Sequence, residues 1–172
     1  SNLIYDLWYK GMEIQDYSDY NVVYNNTIDN CTEVGVEIQY FSHNNNITRN
    51  VISNNLYGIA IDNNIQNTKI FENNITDNSI YGISCNGSNN IIYHNNFINN
   101  RNNQSYDYNA MNMNDWNNQT LLEGNYWDNY ATRYPTANST LGIWDTPYGL
   151  DWGFMMQDYD YNPLVWPFEY YT

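Results

Sequence analysis

The sequence predicts an all-β chain, a right-handed parallel β-helix (solenoid) of about five coils closed by an aromatic-rich C-terminal cap. Three observations carry this. The string Asn-x-Ile-x-(Asn/Asp) returns at Asn2-Ile4-Asp6, Asn26-Ile28-Asn30, Asn50-Ile52-Asn54 and Asn73-Ile75-Asp77, with a looser copy at Asn95-Phe97-Asn99, so its starts are spaced 24, 24, 23 and 22 residues. Glycine-apolar pairs keep the same step at Gly11-Met12, Gly35-Val36, Gly58-Ile59 and Gly82-Ile83. After about residue 100 the repeat fades, and Trp116, Trp127, Trp144, Trp152 and Trp166 appear together with all four prolines. A fixed period of this size means stacked structural units.

Each copy holds three short apolar-polar alternations bounded by Asn, Asp, Ser and Gly, which read as three strands with a turn at each end. The first is centred on Val23, Ile47, Ile70 or Ile92, and the second on Ile4, Ile28, Ile52, Ile75 or Phe97. The third is Gly-Ile-x-Ile, whose last position gives a column Ile14, Ile38, Ile61 and Cys85. Coils stacked roughly 4.8 Å apart make a rod about 24 Å long. The right hand follows from the rule for parallel crossovers. A leucine-rich repeat would need leucine at several fixed places, and a propeller blade would need about 40 residues.

The chain contains 35 asparagines among 172 residues. Such tracts can be disordered, but here they recur at fixed places in the repeat. Asparagine tolerates left-handed backbone and forms amide ladders between identical positions, so it is expected to be a scaffold residue at the corners. A single coil cannot bury its own apolar face, and an open solenoid end needs a cap. The division expected is therefore coils over 1–104 and a coil remnant with the capping region over 105–172. The cap aromatics are read first as the core of the plug and second as a sugar-binding platform that includes Trp127.

Nineteen acidic residues against five basic ones give a net charge of −14. Phosphate neutralisation by Lys and Arg dominates nucleic-acid affinity, so no nucleic-acid partner is expected and anionic membrane surfaces are poor partners. No run of about 18 apolar residues predicts a membrane span. The chain begins inside a rung without a basic-then-apolar leader, as a mature product or a piece of something longer would. Cys31 and Cys85 sit two coils apart at different offsets, beyond disulfide reach. Asn-x-Ser/Thr sequons at Asn25, Asn30, Asn46, Asn74, Asn86, Asn103, Asn118 and Asn138 are glycosylation candidates. With the acidic, tyrosine-rich surface they point to an extracellular, cell-surface setting.

The segments Asn114-Asp115-Trp116, Gly124-Asn125-Tyr126-Trp127-Asp128-Asn129-Tyr130, Asp145-Thr146-Pro147-Tyr148 and Tyr161-Asn162-Pro163-Leu164 resemble the end of NosD-type parallel β-helix proteins, and the upstream coils are similar to that family's repeat. The resemblance implies a periplasmic copper-site accessory protein or an archaeal cell-surface protein. It also implies an acidic calcium loop between the second and third segments. Here that stretch, Ala131 to Trp144, holds no acidic residue, leaving Asp128 and Asp145 as metal candidates. No cofactor is expected, calcium at that pair being the one candidate.

A polysaccharide hydrolase wants two carboxylates across a groove, and Glu13 and Glu37 are the pair that stacks outward on adjacent coils. They read as a solvated acidic face or as a pair that shares a proton or a cation. Arg49, Arg101 and Arg133 are isolated in sequence, and Lys10 and Lys69 fall at different offsets. No convergent acid, base and metal set emerges, so no catalytic residue is assigned and the balance falls against an enzyme. For copper, the donors are His43, His94, Met111, Met113, Met155 and Met156, at unrelated offsets. Tyr57 and Tyr81 precede their glycines on neighbouring coils and Tyr40 follows the same strand, giving with Glu13 and Glu37 a stripe that binds a glycan along the rod or simply stabilises the sheet. The function expected is a structural or adhesive cell-envelope module. Its partners would be envelope polysaccharide or other copies of itself stacked on the open N-terminal coil.

Overall fold

The computed structural model describes residues 2–108, 114–150 and 158–169. The first four copies of the repeat each fold into three short strands and the looser fifth into two, and equivalent strands stack in parallel into three sheets. The first sheet holds β1 (Leu3–Tyr5), β4 (Thr27–Asp29), β7 (Val51–Ser53), β10 (Asn74–Thr76), β13 (Asn96–Ile98) and β15 (Tyr126–Trp127). The second holds β2 (Met12–Ile14), β5 (Val34–Ile38), β8 (Tyr57–Ile61), β11 (Tyr81–Cys85) and β14 (Asn103–Asp107). The third holds β3 (Val22–Tyr24), β6 (Asn46–Thr48), β9 (Lys69–Phe71) and β12 (Ile91–Tyr93). The result is a parallel β-solenoid of about five turns with almost no helix, as the repeat predicts.

Register confirms the columns. Ile4, Ile28, Ile52, Ile75 and Phe97 pair in turn and continue to Trp127. Ile14, Ile38, Ile61 and Cys85 pair in turn and end on Asp107. Val23, Ile47, Ile70 and Ile92 do the same in the third sheet. From the second coil inward these isoleucines are almost entirely buried, each worth about 1.5–3 kcal/mol of transfer free energy. The repeat glycines follow from close approach. A Cβ on Gly35 would lie 2.6 Å from Ile52 Cγ2 and 2.7 Å from the Gly58 carbonyl oxygen, and one on Gly58 would lie 2.5 Å from the Gly82 carbonyl oxygen.

The motif Asn-x-Ile-x-(Asn/Asp) resolves into three jobs. Its last position turns the corner in left-handed backbone, with φ of 54° to 57° at Asp6, Asn30, Asn54, Asp77 and Asn99. Asparagine and aspartate tolerate that region better than other side chains. Its isoleucine fills the core. Its first asparagine turns inward and joins a ladder, in which each Nδ2 donates to the Oδ1 of the next coil at 2.9–3.1 Å, from Asn2 through Asn26, Asn50, Asn73 and Asn95 to Asn125.

A second ladder at the next corner runs Asn55, Asn78, Asn100 and Gln104. A third, interrupted at Thr68, runs Asn21 to Asn45 and Asn90 to Asn114. All three donate towards the C-terminal end, so each needs an acceptor there, and each finds a carboxylate. Asp160 Oδ2 accepts from Asn125, Asp128 Oδ1 from Gln104, and Asp107 from Asn114. Buried amides left without such partners cost about 1–3 kcal/mol each.

The cap covers this end. Trp127 lies between Phe97 (centroids 4.4 Å, 8°) and Tyr148 (4.2 Å, 3°), and its Nε1 donates to Asp160 Oδ2 at 2.9 Å. Trp116 is fully buried and donates to Asp107 Oδ2 at 2.9 Å. A short helix α1 (Tyr130–Arg133) and two small antiparallel pairs, β16 (Ser139–Thr140) with β17 (Ile143–Trp144) and β18 (Tyr148–Gly149) with β19 (Tyr159–Asp160), wrap the stack. Trp144 packs on Tyr130 at 4.7 Å, Trp166 is exposed, and Trp152 lies outside the described residues. Among the described residues no helix is long and apolar enough to cross a membrane.

Candidate functional site

The outer face of the second sheet carries two columns. Residues just before the repeat glycines make one, with Val34, Tyr57, Tyr81 and Asn103 in register. The other is Glu13, Glu37, Ala60, Ser84 and Tyr106. Ala60 and Ser84 are small, so the rings beside them have room. Tyr57 and Tyr81 lie 5.9 Å apart by centroid, Tyr81 and Tyr106 5.1 Å, and Tyr106 and Tyr108 4.4 Å. Four tyrosines thus run across the C-terminal half of the face.

The N-terminal half is charged. Glu13 and Glu37 stack on adjacent strands as expected, and Lys10 bridges them: its Nζ lies 2.6 Å from Glu13 Oε1 and also contacts Glu37 Oε2. Burial alone would lower the Lys10 ammonium, but its hydrogen bonds to the two carboxylates hold it above its ordinary value. Gln39 Nε2 donates to Glu13 as well. The pair is neither a bare acidic face nor a proton-sharing dyad, because a lysine ammonium fills the gap between coils. Sequence offsets hid this. Lys10 occupies the outward position before Gly11, beside the glutamate column rather than in it, and a flexible four-carbon stem spans the step.

Several other expectations change in the structure. Trp127 is 1% exposed with both ring faces covered, which keeps the first reading of it, as the plug's own core, and removes the second, as a sugar platform. Arg49 is not isolated: it pairs with Glu72 at 2.6 Å on the neighbouring coil. Arg133 lies over the Tyr148 ring at 4.9 Å. Tyr40 is exposed but sits in a left-handed corner after β5, its carbonyl accepting from Tyr17 N–H, away from the tyrosine run's registered positions. Asp128 and Asp145 are held by separate bonds. Asp128 Oδ2 accepts from Asn99 N–H at 2.7 Å, whereas Asp145 Oδ1 accepts from Asn138 N–H and Thr146 Oγ1, both at 3.0 Å. Burial raises the Asp128 carboxyl against the N–H groups of Asn99 and Asn129.

Among the sequon asparagines, Asn25, Asn30 and Asn138 are exposed. Asn25 and Asn30 turn corners with φ of 54° and 55°. Asn46, Asn74 and Asn103 open strands and, like Asn86 and Asn118, are half-buried.

The donors that copper would want do not converge. His94 Nε2 meets Glu123 Oε2 at 2.7 Å and its ring stacks on Phe168 at 4.1 Å, while His43 Nδ1 accepts from Gln66 N–H at 3.2 Å two coils away. Cys31 and Cys85 are buried free thiols, and burial pushes both above the ordinary thiol range, away from the thiolate that ligates metal. Met12 registers with Val36 in the core. Met111, Met113, Met155 and Met156 lie outside the described residues. Among the described residues no three His, Cys, Asp or Glu side chains gather to hold a metal, and the residues present do not fit a copper centre.

No curated protein and no solved structure matches the chain. A family described as "Periplasmic copper-binding protein (NosD)" matches residues 1–132, which takes in all the coils and the first turn of the cap. On that match, and on the solenoid that bears it out, the chain belongs to the NosD family.

Proposed function

We propose that the chain is a non-enzymatic adhesive module of the cell envelope that holds a polysaccharide along the outer face of its second sheet. The observation that carries this reading is the run Tyr57–Tyr81–Tyr106–Tyr108, with neighbouring centroids 4.4–5.9 Å apart. Each ring offers an apolar body and a polar tip, the combination that stacks on a sugar's C–H face while its hydroxyls are hydrogen-bonded nearby. The face is solid sheet, so the rings are presented on rigid elements. A net charge of −14 repels uronate- or sulfate-bearing chains, which makes neutral or amino sugars the fitting class. The family's periplasmic description agrees with an envelope setting, and we place this chain at the cell surface.

Retention on an array of neutral, amino and acidic envelope glycans tests the reading, with reducing ends assayed in parallel. Selective retention of neutral or amino sugars without release of reducing ends is expected. Absence of retention, or release of reducing ends, would refute it.

A second reading is favoured by the N-terminal coil, where Leu3 on β1 is 64%, Val22 on β3 61% and Trp8, in the turn between β1 and β2, 89% exposed, and where β1, β2 and β3 are the edge strands of their sheets. An edge of this kind accepts a further coil, and self-assembly into a layer or filament would use it. Sedimentation across a hundredfold range of concentration decides: a purely monomeric chain contradicts assembly.

A further inference from the structure

The third corner ladder ends on an unusual residue. Asp107 stands where the column Ile14, Ile38, Ile61 and Cys85 would place another apolar side chain, and it is wholly buried. Its oxygens accept from Asn114 Nδ2 at 3.0 Å and from Trp116 Nε1 at 2.9 Å. A second carboxylate, Asp158, is held close enough for the two charges to interact. It is 2% exposed. Its Oδ1 accepts from Tyr159 N–H at 3.0 Å, while its Oδ2 is buried with no hydrogen-bond partner.

Asp158 lines a cavity of about 280 Å³ together with Asn114, Asp115, Asn117, Gln119 and Tyr161. Among the described residues the lining contains no lysine, arginine or histidine, so no cationic side chain in it offsets the buried charge. Burial, and then the charges of Asp107 and Asp115, push the Asp158 carboxyl up to about 6, which still leaves it ionised at neutral pH.

We propose that this cavity binds a hard divalent cation, calcium, anchored by Asp158 with Asp115 and side-chain amide oxygens completing the shell. Calcium takes six to eight oxygens in flexible geometry, from carboxylates, amide carbonyls and water, and so needs no third carboxylate. The donors here are oxygen, not sulfur or imidazole, which selects against copper. Asp128 and Asp145, the pair the sequence pointed to, lie outside this lining. The ion would tie the chain around Asp158 to the end of the third ladder, locking the cap to the last coil independently of the glycan face. With so few carboxylates, the affinity belongs with extracellular modules, on the order of 10⁻⁴ to 10⁻³ M.

The test is a calcium titration of the full chain at pH 7.5, read by thermal melting and by terbium luminescence excited through tryptophan, since Trp116 lines the cavity. The wild type should gain about 3–6 °C at ten times the dissociation constant over its value in EDTA. Asp158→Asn should fold, because it removes an unpartnered buried charge, and should bind calcium and terbium about tenfold more weakly or worse. Asp115→Asn, at an exposed position, provides a second variant with a smaller loss in the same direction. Asp16→Asn, on the remote first coil, should match the wild type. No calcium-dependent shift in the wild type, or equal shifts in the wild type and Asp158→Asn, would overturn the proposal. A melting point that responds to pH but not to calcium would overturn it in favour of a retained proton.

Discussion

Inside the rod the side chains repeat coil by coil, whereas on the outer face of the second sheet they do not. The inward column of the first sheet stays isoleucine for four coils and those of the other two sheets for three, and the first two corner ladders stay asparagine from coil to coil. The outward columns change from Lys10, Glu13 and Glu37 at one end to Tyr57, Tyr81 and Tyr106 at the other. The contrast has a physical cause. An inward residue meets its own kind above and below, so one change of size or polarity disturbs three coils. An outward residue meets water and is released from that constraint. Periodicity therefore marks what holds the solenoid up, and its loss marks where the surface is free to recognise something.

The largest effect should come from within. Asn73→Leu removes donors to Ile47 O, Phe71 O and Asn95 Oδ1 and the acceptor used by Asn50. Urea denaturation should show a loss of roughly 3 kcal/mol or more, with glycan affinity of the folded fraction unchanged. A loss below about 1 kcal/mol would mean that water replaces the ladder.

The next effect is set by pH. Burial pushes the Asp160 carboxyl up to about 7, against the N–H groups of Asn125, Trp127 and Asn162 that accompany it. A carboxyl whose folded pKa exceeds its unfolded one keeps its proton longer when folded. Its contribution is full below about pH 4 and is lost as pH rises towards 7. The unfolding free energy should fall between pH 5 and 7, and Asp160→Asn should flatten that slope whatever it does to the absolute stability.

On the face, Tyr81→Ala should weaken glycan binding about tenfold, or ~1.4 kcal/mol, while costing less stability than any ladder substitution. Lys10→Gln leaves Glu13 and Glu37 stacked without their shared cation and should lower stability by about 1 kcal/mol, less at high salt. Smallest of all, Trp8→Ser on the exposed first coil should change monomer stability by no more than about 0.5 kcal/mol. A larger loss would show that Trp8 is covered in solution.

How much of this was legible in the sequence follows the same division. The strands, the three apolar columns and the corner asparagines could be read because each repeats, and register bears them out. The ladders' direction could not, since it depends on which amide atom faces which coil. Asp107, Asp128 and Asp160 gave no sign of ending ladders because each stands where the repeat has already changed. Tyr106 escaped notice for a related reason. The fifth strand of its sheet has Gln104 where earlier coils carry glycine, so the marker that located Tyr57 and Tyr81 was missing. The second reading of Trp127, as a sugar platform, stayed open because the ring that covers it, Tyr148, arrives 21 residues later in sequence.

The most direct measurement is calorimetric titration of a neutral or amino-sugar envelope polysaccharide into the wild type and into Tyr81→Ala/Tyr106→Ala. The tyrosine face predicts that the double variant keeps its melting temperature within a few degrees and loses about a hundredfold in affinity, ~2.7 kcal/mol. It also predicts that a uronate-rich chain binds neither protein. Equal affinity of the wild type and the double variant would place recognition elsewhere and contradict the account.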